Sequence, residues 1–345
     1  MNSLHPATTS LISPQEPAGE AAASMLAAAF SRYGSFEQVR VQSVTRAPVG
    51  ADEVQVRVRA AALHAGDCFL VRGSPFPMRL ATGLLRPRKG IPGFDLAGEV
   101  EAVGSNVTQF RPGDLVFGAS MGTCAQWVNV AAKSLAPMPQ GLSFTQAAAL
   151  PTSGLAALHA LRDVARVQPG QRVLINGAAG GVGTFAVQIA KHFGAHVTGV
   201  CSGANVALVR QLGADEIIDY TCDDFTRSGQ SYDVIFDNVE NRSLTEVRRA
   251  LTPTGTLVLN SGTGATGLAL LVRLLKPLML SPFTRQQLRR YLSTPRTPDL
   301  QILKDMVEAG NVQPVVSRTY ALTETADALR HIASGHAQGK LVVEL

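Results

Sequence analysis

Cysteine is scarce in this chain: there are four in 345 residues, Cys68, Cys124, Cys201 and Cys222, far apart and with no C-x-x-C pair. That spacing excludes a disulfide framework and a zinc ribbon, and it fits a reducing, cytoplasmic compartment. Long apolar runs are lacking too. Gly267 to Val272 is broken by Arg273 and Lys276, well short of the roughly 18 residues that a membrane span needs. Residues 1–24 have neither the basic start nor the apolar core of a secretory signal. They contain no Arg, carry Glu16 and Glu20, and read as a disordered tail. Charge of one sign is nowhere concentrated: 31 Lys and Arg against 26 Asp and Glu leave +5 spread along the chain. The densest basic spots, Arg86 to Lys89 and Arg285 to Arg290, read as solvated faces, which argues against a nucleic-acid partner.

What is present is enough chain for two cores. From Met25 to about Leu150, short apolar runs punctuated by Gly, Pro and Asp predict a β-rich domain, with strands at Glu53 to Ala60, Ala97 to Gly104, Asp114 to Phe117 and Ala125 to Ala131. From Thr145 onward helical and strand patterns alternate, and Asp233 to Asp237 and Thr256 to Asn260 read as strands of a parallel sheet. A last sheet strand is predicted near Pro277 to Phe283, where an exposed edge would allow homodimerisation by sheet extension. A helix at Asp299 to Ala309 follows, and the segment ending at Leu345 is expected to rejoin the first domain.

The most informative stretch is Val173-Leu-Ile-Asn-Gly-Ala-Ala-Gly-Gly-Val-Gly-Thr184, running into the helical pattern Phe185 to Phe193. A strand that opens through small residues into a helix leaves backbone N–H groups aimed at one point, at the positive end of the helix dipole. A pyrophosphate fits there. The frame Ala178-x-Gly180-x-x-Gly183, with Gly177 before it, is the dinucleotide fingerprint, and Ala179, Gly180, Gly181, Val182 and Gly183 are the residues expected to bind. Strand, helix and strand follow at βαβ spacing: Ala195 to Cys201, Ala204 to Leu212, and Glu216 to Tyr220.

Taken together, Leu63-His-Ala-Gly-Asp67, Pro92 to Gly104, Phe110 to Asp114, Leu150-Pro-Thr-Ser-Gly-Leu155, the glycine loop and Leu212 to Tyr220 make the chain resemble the medium-chain dehydrogenase/reductase superfamily, in its zinc-free quinone oxidoreductase branch. The similarity runs from Met25 to Leu345. Arg79 to Lys89 and Ser334 to Lys340 look closest to chloroplast-envelope quinone oxidoreductase homologues and reticulon-interacting relatives. The resemblance implies an α/β protein: a Rossmann doubly wound parallel sheet plus a GroES-like β-rich catalytic domain, with the active site between them. The expected limits are 25–148 for the catalytic domain, 149–291 for the Rossmann domain and 292–345 for the return to the catalytic domain.

The matching positions that hold zinc in alcohol dehydrogenases carry His64, Phe94 followed by Asp95, and Thr152 here. One nitrogen cannot replace the three or so protein ligands of a catalytic zinc, so no metal is expected. Where an NAD site places an acidic residue after the second strand, this chain reads Cys201-Ser-Gly-Ala-Asn205, which admits a 2′-phosphate and predicts NADPH, with NADH tolerated. The resemblance puts Ser202, Asn205 and Tyr220 at that phosphate, Thr152 and Ser153 beside the nicotinamide, and Val239, Asn260 and Ser261 in the cofactor cleft. Tyr220 is equally a half-buried strand end.

Without a metal, hydride must go to an acceptor already activated by conjugation, an enal, enone or quinone, and a donor must meet the charge on its oxygen. Catalytic roles therefore fall to His64, Asp67 and Ser153. His64 stands where relatives carry Asn, and it reads either as hydrogen-bond donor and proton source with Asp67 holding its tautomer, or as a residue packed under the cofactor ribose. Phe69, Phe76 and Met78 are expected to wall the substrate pocket. The expected function is an NADPH-dependent enal, enone or quinone reductase acting on a small molecule. The alternatives are a quinone reductase proper or a cofactor-binding interaction or structural protein with little turnover.

Overall fold

The strand Glu53–Leu63 changes faces partway along its length. Val54, Val56 and Val58 point into one core, but a register shift between Val58 and Ala60 inserts Arg59 as a bulge, after which Ala61 and Leu63 face that core and Ala60 and Ala62 face a second. A bulge of this kind bends the strand and re-aims its side chains. The strand thus serves two cores. In the computed structural model, which describes residues 23–76, 78–260 and 284–345, it is the centre of a seven-stranded sheet.

The sheet order is Val316–Ala321, Lys340–Glu344, Glu53–Leu63, Asp95–Val103, Leu115–Ala119 and Leu135–Pro137, with Trp127–Ala131 also pairing onto Glu53–Leu63. Lys340–Glu344 is parallel to Val316–Ala321 and antiparallel to Glu53–Leu63. Its apolar run is buried on both sides, Leu341 and Val343 in one core and Val342 in the other. The strands Val316–Ala321 and Lys340–Glu344 are thus members of the β-rich sheet. The helix Thr297–Glu308 packs elsewhere: Leu300, Leu303, Met306 and Val307 lie in the core shared with the parallel sheet.

The second sheet has six strands in the order Glu216–Asp219, His196–Cys201, Arg172–Asn176, Tyr232–Asp237, Leu251–Leu259 and Gln287–Arg290, all parallel. This is the doubly wound order 3-2-1-4-5-6, whose switch point lies between the first and fourth strands. Val173 and Ile175 fill one core and Leu174 another, as burial on both faces requires. The sequence places the last strand at Pro277 to Phe283, which lies outside the described residues; the described edge strand is Gln287–Arg290. No described helix is long and apolar enough to cross a membrane.

The helix Gly183–His192 buries every residue from Gly183 to Ala190 and starts hard against its own strand. A Cβ on Gly183 would sit 2.0 Å from the Gly177 carbonyl oxygen. Backbone on both sides leaves nothing cheap to move. Gly183→Ala should therefore lower unfolding free energy in urea by about 2 kcal/mol or more, and an unchanged midpoint would show that helix and strand are not packed this closely.

Candidate active site between the two sheets

The glycine loop joins the carboxyl end of Arg172–Asn176 to the helix Gly183–His192. Its left-handed residue is Gly177, at φ +78°, rather than the first position of the fingerprint frame, so the alanine there costs nothing. Gly180 N–H closes the turn on Gly177 O at 3.0 Å. Among the described residues the N–H groups of Ala179, Gly181, Val182 and Gly183 bond to no protein acceptor. A nest of unpaired donors at a helix start is suited to a pyrophosphate.

Beyond it, Ser202 and Asn205 follow the second strand, with Asn205 Nδ2 donating to Ser202 Oγ at 3.0 Å. Tyr220 is half exposed beside them, its N–H bonded to Cys201 O at 3.0 Å. The structure adds two residues to this end. Gln338, from the closing segment, donates through Nε2 to Asn205 Oδ1. Asp219 lies so close that a Cβ on Gly203 would be 2.5 Å from its Oδ2. Bonds from Thr221 and from the Gly203 N–H hold the Asp219 carboxyl below its usual range. A carboxylate thus lies beside Gly203, supplied by the third strand and not by the second.

At the other side of the loop, Val239 covers the turn: a Cβ on Gly177 would be 2.8 Å from Val239 Cγ2. Asp237, buried and raised by that burial, accepts from Asn176 Nδ2 at 2.8 Å and from the N–H groups of Val239 and Glu240 at 3.1 and 2.8 Å. Asn260 donates to Asn238 Oδ1 at 2.8 Å and accepts from the Tyr291 hydroxyl at 3.0 Å. Ser261 lies outside the described residues. So the loop residues, Val239 and Asn260 converge at the strands' carboxyl ends, while a separate cavity of about 780 Å³ near Asp163, Arg166, Asp233 and Arg289 lies toward the opposite ends.

His64, Asp67 and Asp95 belong to the β-rich half, and Thr152 and Ser153 to the helix Pro151–Leu158, whose Ser153 lies beside the glycine loop. His64 caps the helix Ala65–Arg72: Nδ1 accepts the Gly66 N–H at 2.9 Å, and the Asp67 carboxylate accepts the His64 N–H at 2.8 Å. The ring stacks on Phe94 at 4.8 Å between centroids. Because Nδ1 is an acceptor, the hydrogen sits on Nε2, and that atom is buried without a partner among the described residues. This corrects one expectation: Gly66, not Asp67, holds the tautomer, since Asp67 Oδ2 stays 3.8 Å from Nδ1. Nε2 is then the ring atom that can donate a hydrogen bond. Asp67 is fully buried, which raises its pKa, and its other oxygen takes the Gly93 N–H.

Thr152 gives both its N–H, at 2.9 Å, and its hydroxyl to Asp95 Oδ1. The sequence reading missed the partner on the other side, Lys340, whose Nζ is 3.3 Å from Asp95 Oδ2 and 3.1 Å from Ser153 Oγ. Nothing local signals it: a lysine opening an apolar strand ordinarily reads as exposed, yet this one is 2% exposed. Among the described residues no three His, Cys, Asp or Glu side chains converge where a metal could bind. Phe69 is half-buried on the capped helix, Phe76 is 62% exposed, and the Met78 side chain lies outside what is described.

Residues 50–159 match the family model described as the alcohol dehydrogenase GroES-like domain, and residues 212–343 match that described as zinc-binding dehydrogenase. A quinone oxidoreductase of Pseudomonas aeruginosa is 33% identical over 91% of this chain and 98% of its own length. The mitochondrial NAD(P)H oxidoreductase RTN4IP1 of Mus musculus is 31% identical over 91% of this chain and 87% of its own. The solved quinone oxidoreductase from Coxiella burnetii superposes with a TM-score of 0.83 at 28% identity, covering 94% of this chain and all of that one (100%).

The imidazole folds over Gly66 so closely that a Cβ there would be 2.6 Å from His64 Cε1. Gly66→Ala should displace the ring and cost about 1–3 kcal/mol in urea unfolding. Unchanged stability would mean that the ring does not cap this helix.

Proposed function

The chain belongs to the medium-chain dehydrogenase/reductase superfamily, and from that premise we propose that it is a zinc-independent oxidoreductase that uses NADPH to reduce conjugated carbonyl compounds, quinones or enones and enals. The observation that carries the reading is the pairing of two features that lack partners among the described residues: the buried Nε2 of His64 in the β-rich half, and the N–H nest of the glycine loop.

The nest would hold the pyrophosphate, Ser202 and Asn205 the phosphate-bearing ribose, and Thr152, Ser153, Val239 and Asn260 the nicotinamide end. When bound, the reduced nicotinamide supplies a hydride, which suits an acceptor whose double bond is already polarised. His64 donates to the acceptor oxygen, where negative charge collects, and a preorganised donor of this kind contributes on the order of 10²-fold. Asp67 positions that donor through two backbone N–H groups. The proton for the neighbouring carbon comes from solvent, because the buried Asp67 is occupied as an acceptor of two backbone N–H groups. Zinc independence is supported by the donor set: Nδ1 of His64 is taken by Gly66, Phe94 has no ligating atom, and the Thr152 hydroxyl is committed to Asp95.

The test is NADPH oxidation against enals, enones and quinones by the wild type, His64→Asn and His64→Ala. Asparagine can cap the helix and donate, whereas alanine does neither. Turnover should fall about tenfold or more in His64→Ala and stay within a few-fold in His64→Asn. Equal rates in all three would remove His64 from the chemistry, and tight NADPH binding with no oxidation across the panel would overturn the function. Asp219 opposes a 2′-phosphate, so Asp219→Asn should raise the NADPH-over-NADH ratio of kcat/KM; an unchanged ratio would show that Asp219 does not bear on the choice of cofactor.

A further inference from the structure

Three consecutive residues near the chain's end reach three parts of the rim. Gln338 meets Asn205, Gly339 N–H donates to Ala179 O at 2.9 Å, and Lys340 turns its ammonium inward to Asp95 and Ser153. The polarity of that last cluster is dictated by donor counting. An ammonium has only donors, so Ser153 Oγ must accept from Lys340, which leaves the Ser153 hydroxyl hydrogen to point elsewhere. Among the described residues it has no acceptor, although Ser153 is 2% exposed. Its neighbour is set the opposite way: the Thr152 hydroxyl hydrogen is spent on Asp95 Oδ1, so its oxygen offers lone pairs. The cluster abuts the glycine loop, since a Cβ on Gly181 would lie 3.4 Å from Lys340 Cδ and 3.6 Å from Ser153 Oγ.

Two adjacent hydroxyls, one donor and one acceptor, complement a primary carboxamide, which presents one carbonyl and one amino group. We propose that Lys340 is a positioning residue for the nicotinamide: by neutralising Asp95 and occupying the Ser153 oxygen, it aims the Ser153 hydroxyl as donor and leaves Thr152 as acceptor for the carboxamide. The inference rests on the nicotinamide reading above, but it concerns binding and not turnover. Lys340 would then act through Ser153 and touch neither substrate nor the reacting atoms.

The experiment measures affinity for two probes, NADPH and 2′,5′-ADP, which lacks the nicotinamide half, alongside thermal melting. Ser153→Ala keeps the ion pair and should melt as the wild type does. It should bind NADPH about tenfold more weakly, the worth of one directed hydrogen bond, with 2′,5′-ADP affinity unchanged. Lys340→Met alone strands a buried carboxylate and is expected to melt lower, so the informative variant is Lys340→Met with Asp95→Asn, which removes both charges. That pair should melt near the wild type, lose NADPH affinity as Ser153→Ala does, keep 2′,5′-ADP, and show little added loss when combined with Ser153→Ala. Lys340→Arg should recover part of the lost affinity.

Wild-type NADPH affinity in Ser153→Ala would overturn the proposal. So would equal weakening of both probes in the charge-free pair, the mark of a merely structural lysine. Selective loss of NADPH binding in a protein that reduces no acceptor would instead support the positioning role while the proposed reaction failed.

Discussion

A buried ammonium–carboxylate contact, Lys340 with Asp95, is the constraint on which the arrangement of the cleft depends. Asp95 opens the strand Asp95–Val103, and Lys340 opens the strand Lys340–Glu344, two members of one sheet that are not neighbours in it. Through Thr152, Asp95 also fixes the start of the helix Pro151–Leu158. Through Gly339, the residue before the lysine is bonded to the glycine loop of the parallel sheet. A buried pair of this sort adds little net stability, because desolvation offsets attraction, but losing one partner is costly. Its effect is on geometry: it fixes where a strand end, a helix start and a loop meet.

The chemistry available at that junction follows from where hydrogen atoms are committed. Among the described residues four backbone N–H groups of the loop lack a partner on one side, and the buried His64 Nε2 lacks one on the other. Between them the donors of Thr152 and the acceptors of Asp95 are already used. The same accounting leaves no spare set of ligands for a metal among the described residues.

Much of this was legible in the sequence, wherever the backbone's needs are written as residue type. Gly177 and Gly183 mark a left-handed turn and a close helix approach, and the apolar runs at Val173 and Val234 mark strands buried on both faces. The edge strand was not legible. Gln287–Arg290 is polar because one face is exposed, whereas the apolar text at Pro277 to Phe283 reads more like a strand. His64 as a helix cap was hidden for another reason, since histidine is not among the residues that usually cap and the signal lay in Gly66 and Asp67 together. Lys340 and Asp95 stand 245 residues apart in the chain, and Asp219 reaches Gly203 from a different strand than the motif inspects. Contacts made only by the fold leave no local pattern.

The account turns on hydride reaching a conjugated acceptor through a site without zinc. The most direct measurement is deuterium transfer from 4-deuterated NADPH to an enone or enal, made with protein whose metal content has been assayed before and after chelation. The account predicts deuterium on the β-carbon of the product at a rate that chelation leaves unchanged. Stoichiometric zinc whose removal abolishes that transfer would contradict it.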